Sequence, residues 1–394
     1  MPRAAIPDFP PPTVITDTDA LTALCRRLAS EEFVTVDTEF MRERTYYPEL
    51  CLVQLAGETE VAVVDTVSDR IDLAPLGELL ANPAVTKVFH AARQDVEIFV
   101  HRFGAVPSPM FDTQVAAMVA GFGDQAGYDS LVSGLTGGSI DKAHRFSDWA
   151  ARPLSPAQMT YAAADVTWLR LVYRQLRARL EEEGRLSWVA EEMAILNNPA
   201  TYRGDPETAW ERLKLRGNNR RFLALVRALA AWREQEAQRI NIPRQRLLKD
   251  ETLMEIAAIA PANPEALGRA RGISRGFAEG RTGVSLLEAV APVIALPEAS
   301  LPAAPRQRDV ARPSAALVQL LKVLLMARCE EHRVAPKLIA SSDDIDRIAS
   351  EDAPDVPALH GWRRTVFGED AIALRDGRVG LGVDNRRIRL IPAG

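Results

Sequence analysis

Phe33-Val34-Thr35-Val36-Asp37-Thr38-Glu39-Phe40 begins as an apolar, β-branched run, which reads as a buried strand. Two carboxylates, Asp37 and Glu39, interrupt it at alternate positions. Strand side chains alternate in direction, so residues two apart leave the same face. Two negative charges then stand side by side at the end of the strand, which is costly unless something positive lies between them. Divalent cations with oxygen ligands are the usual solution. Taken alone, the pair is equally compatible with two carboxylates turning to solvent where the strand ends.

Two further segments bear on that choice. His90-Ala91-Ala92-Arg93-Gln94-Asp95-Val96-Glu97-Ile98-Phe99 follows the strand-like Thr86-Lys87-Val88-Phe89, so a strand runs into a helix with Asp95 near its first turn. Ser155-Pro156-Ala157-Gln158-Met159-Thr160-Tyr161-Ala162-Ala163-Ala164-Asp165 reads as a helix, with Ser155 as N-cap and Pro156 at its first position. Tyr161 and Asp165 are four apart and share a helical face. The alanines between them favour helix and add little bulk, leaving room for an approaching group.

Asp37-x-Glu39, Asp95 and Tyr161-x-x-x-Asp165 match, in order and rough spacing, the three motifs of the DEDDy 3′–5′ exonucleases. The surrounding sequence resembles the ribonuclease D family. The resemblance is carried by Val36-Asp37-Thr38-Glu39-Phe40, His90-Ala91 ahead of Asp95, and Asp112-Thr113-Gln114. It continues through Trp149-Ala150-Ala151-Arg152-Pro153-Leu154 into Tyr161-Ala162-Ala163-Ala164-Asp165-Val166. One such motif is weak, because Asp-x-Glu occurs by chance; all of them in order are specific.

The resemblance implies an α/β domain of the ribonuclease H-like exonuclease fold, a mixed sheet flanked by helices, followed by all-α HRDC-type domains. It also implies catalytic roles for Asp37, Glu39, Asp95, Tyr161 and Asp165, and two divalent metal ions, Mg2+ or Mn2+. Asp37 would bridge the metals, Glu39 and Asp165 would help hold the ion on the nucleophile side, and Asp95 would support the other. Phosphodiester hydrolysis must stabilise charge on both the attacking and leaving oxygens, which two metals about 3.5–4 Å apart do as a clamp. Tyr161 would orient the attacking water. A tyrosine pKa of about 10 makes positioning easier to defend than full proton abstraction. No Cys or His cluster suggests zinc.

Phe40, Gln54, His90 and Asp112 are candidates for substrate binding on the same resemblance. Gln54, His90 and Asp112 also have a structural reading. Gln54 lies in the apolar strand-like Cys51-Leu52-Val53-Gln54-Leu55. His90 at a strand end is more often a satisfied structural residue. Asp112 opens a helix-like segment and is an ordinary N-cap candidate close to the site.

The chain has 394 residues, enough for two or three domains, and 47% of them are hydrophobic. Its net charge of −5 argues mildly against a nucleic-acid partner, although a global charge can hide local patches. Cys25, Cys51 and Cys329 are scattered and odd in number, which suits a reducing cytosol and no disulfide framework. The proline-rich start is no signal peptide, and the apolar stretch 315–327 carries Gln319 and Lys322, so no membrane segment is expected. A cytoplasmic location follows as an expectation.

Strand and helix signals alternate in the exonuclease domain, placed at residues 13–198, with a helix over 21–29 and strands over 33–37, 51–56 and 60–65. The expected HRDC domain spans 205–296. Leu223, Val226, Leu229 and Ala230 recur there at helical spacing, and a last helix over 285–291 should stop at Pro292. It carries Arg212, Lys214, Arg216, Arg220, Arg221, Arg227, Arg233, Arg239, Arg244, Arg246 and Lys249, with few acids between them. They read equally as phosphate contacts or as a solvated face. Residues 297–313 read as a Pro/Ala linker, and 314–394 resembles a second HRDC-like helical domain with a tail. In that tail, Arg375-Asp376-Gly377 carries the turn signal of a possible hairpin.

The expected activity is exoribonucleolytic release of nucleoside 5′-monophosphates from RNA 3′ ends, in maturation of tRNA precursors and other small structured RNAs, by a monomer. The rival readings are the same chemistry on DNA and a non-catalytic RNA-binding scaffold.

Overall fold

The computed structural model describes residues 10–215, 219–301 and 313–392. Arg216 and most of the expected linker, 302–312, lie outside them. The chain begins β1 (Thr13–Ile15), α1 (Thr18–Leu28), β2 (Phe33–Met41), β3 (Glu49–Ala56), β4 (Val61–Asp65), α2 (Ala74–Ala81), β5 (Thr86–Phe89) and α3 (Arg93–Phe103). It continues through β6 (Met110–Asp112), α4 (Thr113–Val119), α5 (Tyr128–Leu131), α6 (Pro156–Glu182) and α7 (Leu186–Leu196).

These strands form one six-stranded mixed sheet in the order β1-β4-β3-β2-β5-β6. The β1–β4, β2–β5 and β5–β6 pairs are parallel, and β3–β4 is antiparallel. β2 is longer than its apolar residues suggest. Asp37 and Glu39 therefore lie within the strand rather than at its end. The reason is its neighbour: the ladder to β5 finishes at the Thr35–Val88 pair, while β2 runs on to Met41. The two carboxylates thus emerge where one flank of the strand has opened.

Helix α6 starts at a complete capping box, with the Gln158 N–H donating to Ser155 Oγ and the Ser155 N–H donating to Gln158 Oε1. It seats on the sheet through Ala163 and Val166 against Ala56 and Val61. Two polar ties fix its height and rotation: Thr35 Oγ1 donates to the Val166 carbonyl at 2.8 Å, and Arg170 Nη1 donates to the Ala56 carbonyl at 3.1 Å.

The next elements are α8 (Arg220–Ile240), α9 (Arg244–Leu247), α10 (Asp250–Ile259), α11 (Pro264–Leu267), α12 (Arg275–Glu279) and α13 (Arg281–Ala295). With residues Met41–Glu49 they form a compact unit of their own. Leu225, Val226, Leu229, Leu253, Ile256, Leu286 and Val290 fill its core. Contrary to expectation, α13 passes through Pro292. The last turn is held from outside: Arg221 Nη1 donates to the Val293 and Ile294 carbonyls, and Arg221 Nη2 to that of Leu296.

The remaining elements are α14 (Ala315–His332), α15 (Pro336–Ile339), α16 (Ser342–Ser350), α17 (Gly361–Arg363), α18 (Glu369–Arg375), β7 (Val379–Asp384) and β8 (Arg387–Pro392). They belong to the same compact unit as the six-stranded sheet. Trp362 stacks on Trp188 of α7 with ring centroids 4.6 Å apart, and its Nε1 donates to Glu192 Oε1 at 2.8 Å. Arg363 Nη2 donates to the other Glu192 oxygen at 2.5 Å. β7 and β8 are an antiparallel hairpin, but its turn lies at Asn385-Arg386, both at positive φ, rather than at residues 375–377, where α18 ends.

Candidate active site

Asp37 and Glu39 from β2 meet Asp165 from α6. One carboxylate oxygen from each lies within 4.8 Å of the others. Tyr161 and Asp165 lie four positions apart on one face of α6, and the Tyr161 hydroxyl donates a hydrogen bond to the Asp165 carboxylate. Asp95, in the first turn of α3, stands outside this trio. It is buried, feels the charge of Asp37, and accepts a hydrogen bond from the Thr38 hydroxyl.

Burial holds all four carboxyls above their ordinary range, and repulsion adds to it at Asp37, Glu39 and Asp95. Burial acts first on Asp37, followed by the charge of Asp165. Glu39 is pushed up to about 10 by burial and then by Asp37, Asp165 and Asp95, and Asp165 rises to about 7 chiefly through burial. Asp95 is raised by burial and then by Asp37. Such crowding is unfavourable for bare anions and favourable around a divalent cation, whose charge reverses each of these effects. Oxygen ligands of this kind suit a hard cation such as Mg2+ or Mn2+. Among the described residues no His- or Cys-containing group gathers in the same way.

Tyr161 is itself pushed above its usual pKa by burial and by Asp165, Glu39 and Asp37. It is a phenol at neutral pH and an O–H donor. Its ring lies 6.0 Å from that of the buried Trp149 and 6.4 Å from that of His144.

The substrate-binding candidates separate. Phe40 follows Glu39 on β2 and is partly exposed. Gln54 is 0% exposed, and neither amide atom has a hydrogen-bond partner among the described residues. His90 Nδ1 lies 3.0 Å from Thr113 Oγ1, and its ring packs 5.3 Å from that of Tyr128. Asp112 is 2% exposed, and its carboxylate accepts from the N–H groups of Ala91, Ala92, Gln114 and Val115. It caps α4 and ties down the chain entering α3, the structural role that an N-cap position allows.

Two supporting residues were not singled out in the sequence. Thr38 orients Asp95. Tyr128 donates through its hydroxyl to the Asp165 carbonyl at 2.7 Å, anchoring the turn of α6 that carries the Asp165 carboxylate. Only the position of Thr38 between Asp37 and Glu39 offered a signal.

Comparison with known proteins places the chain in a family. A 3′-5′ exonuclease family model matches residues 12–181, and an HRDC domain model matches 222–290. Ribonuclease D of Granulibacter bethesdensis is 67% identical over 100% of both chains. That of Acidiphilium cryptum is 65% identical over 98% of both. The crystal structure of Escherichia coli RNase D, an exoribonuclease involved in structured RNA processing, superposes with a TM-score of 0.79 at 30% identity. The match covers 93% of this chain and 98% of that one.

Proposed function

Because this chain belongs to the ribonuclease D family of 3′–5′ exoribonucleases, we propose that it trims the 3′ trailers of tRNA precursors and other small structured RNAs. The observation that carries the site assignment is the meeting of Asp37, Glu39 and Asp165 beside Tyr161. Asp37, Glu39, Asp95 and Asp165 would hold two divalent ions, Mg2+ or Mn2+. When bound, these supply Lewis-acid stabilisation of the attacking and leaving oxygens. Asp37 stands at the electrostatic centre of the group, since its charge acts on both Glu39 and Asp95 and it interacts with Asp165, and it would be a principal ligand of the ions.

Tyr161 keeps its proton and donates to Asp165, so it positions a water through its oxygen rather than deprotonating it. That water attacks the terminal phosphorus, the bond from phosphorus to the 3′ oxygen breaks, and a nucleoside 5′-monophosphate leaves. The proton given up by the water passes to solvent, and the departing 3′ oxygen takes one from solvent, so the shortened RNA ends in a 3′ hydroxyl. Phe40 follows Glu39 on β2 and is partly exposed, and on the family resemblance it would touch the terminal nucleotide. His90 and Gln54 support the pocket wall.

The domain reading is 13–198 for the nuclease, 205–296 for HRDC, and 314–394 for a second HRDC-like module. The core built from α14, α16 and α18 supports the last of these. No helix among the described residues is long and apolar enough to cross a membrane, and we read the enzyme as a cytoplasmic monomer.

Manganese titration followed by electron paramagnetic resonance, together with digestion of matched RNA and DNA oligonucleotides, tests the assignment. Two bound ions in wild type, fewer in Asp37→Asn, and faster digestion of RNA are expected. An Asp37→Asn variant that digests RNA at the wild-type rate would overturn it.

A further inference from the structure

Phe146 is 91% exposed, more than any other large apolar side chain among the described residues. Its segment is nevertheless well tied. Lys142 Nζ pairs with Asp129 at 2.7 Å, and the Arg145 and Ser147 N–H groups donate to the Lys142 and His144 carbonyls. The Ala143 and Ala150 N–H groups donate to the Asp141 and Asp148 side chains. On either side of Phe146 an aromatic residue reaches Tyr161: His144 before it and Trp149 after it. The Arg145 guanidinium lies over the Phe146 ring, 5.4 Å from its centroid, and has no carboxylate partner among the described residues.

An aromatic ring held in water by an ordered segment, with an unpaired guanidinium beside it, has the chemistry of a single-strand subsite. Every base offers a π-face for stacking, and a phosphate accepts from an arginine fork. The segment that carries it borders the catalytic centre: His144 and Trp149 pack near Tyr161, and the charge of Arg145 acts on that tyrosine. We propose that Phe146 stacks on a nucleobase of the unpaired 3′ segment of the RNA while Arg145 contacts an adjacent phosphate. This inference rests on the exoribonuclease reading. It makes the pair a positioning device for 3′ tails whose bases are free to unstack, so a recessed or fully paired 3′ end gains nothing from it.

The test uses the full-length chain and an RNA hairpin with a short single-stranded 3′ tail. Steady-state rates are compared for wild type, Phe146→Ala and Phe146→Tyr. Binding of the same RNA with 2-aminopurine in the tail is followed by fluorescence in an Asp37→Asn background, with and without Phe146→Ala. The proposal expects Phe146→Ala to raise KM about tenfold with kcat within about threefold, and Phe146→Tyr to behave as wild type. It also expects the quenching of 2-aminopurine to disappear with the ring. Unchanged KM with quenching intact would overturn it, as would a fall in kcat alone, which would mean that the segment acts on Tyr161. If wild type shortens no RNA but quenching still depends on Phe146, the subsite stands and the exoribonuclease reading falls.

Discussion

Asp37 is the residue on which the electrostatics of the site converge. Its replacement by alanine should lower turnover at least about a hundredfold, because no neighbouring ligand can take over its contacts with the ions. The fold should survive, since removing one of four crowded carboxylates relieves repulsion. The same crowding sets a pH dependence in metal-free protein. Glu39 and Asp165 stand at about 10 and about 7, against ordinary values of 4.5 and 3.8. Between about pH 4 and 10 the folded chain therefore binds more protons than the unfolded chain, so metal-free stability falls as pH rises. Melting temperatures in chelator should decline across that window. Added magnesium, which needs the ionised carboxylates, should stabilise most at the alkaline end. Tyr161→Phe should lower kcat about tenfold or more while leaving manganese affinity near wild type, as a water-positioning hydroxyl requires. Asp37, Glu39, Tyr161 and Asp165 were legible as candidates because their spacing places them: two apart on a strand, four apart on a helix. Thr38 and Tyr128 were not, since their roles arise from partners 57 and 37 residues away.

Elements deliver those residues through a few polar ties. Asp112 joins two of them, accepting from the N–H groups at the entrance to α3 and those at the start of α4. Asp112→Ala should cost about 3 kcal/mol by leaving buried donors unmatched, read as a fall in the urea midpoint, and should weaken activity by displacing Asp95. Asn at this position should recover part of both. The helical N-cap was readable from Asp112-Thr113-Gln114; the second pair of donors was not, because it comes from another strand–helix junction. The extent of β2 was misjudged for a similar reason. Its end is set by pairing with other strands and not by its own apolar run. The basic residues of α8 illustrate how sequence charge overstates a surface. Arg221 holds the end of α13, Arg227 lies over Trp210 at 4.3 Å, and Arg233 is buried against Asp250 and the Leu248 carbonyl. Those three serve the helical core, which favours the structural reading for them over phosphate binding.

Across the whole molecule, the C-terminal helices share one compact unit with the nuclease sheet, and Glu192 is a principal tie between them. Glu192→Ala would leave Arg363 Nη2 and the Trp362 indole N–H without their acceptor. It should cost about 3 kcal/mol, visible as a lower melting temperature or a separate early transition in calorimetry. The alternation of strand and helix signals made the nuclease fold readable, because each element there has its own period. Docking of α7 onto α17 was not readable, since Trp188 and Trp362 look like ordinary core aromatics until they stack.

The central claim is that Asp37, Glu39, Asp95 and Asp165 form a metal site for hydrolysis from RNA 3′ ends. A time course on a 3′-extended tRNA labelled at its 5′ end tests it most directly, with wild type and Asp37→Ala run side by side in magnesium and in chelator. The account predicts a ladder shortening from the 3′ end only for wild type with magnesium. Equal shortening by Asp37→Ala, or by wild type in chelator, would contradict it.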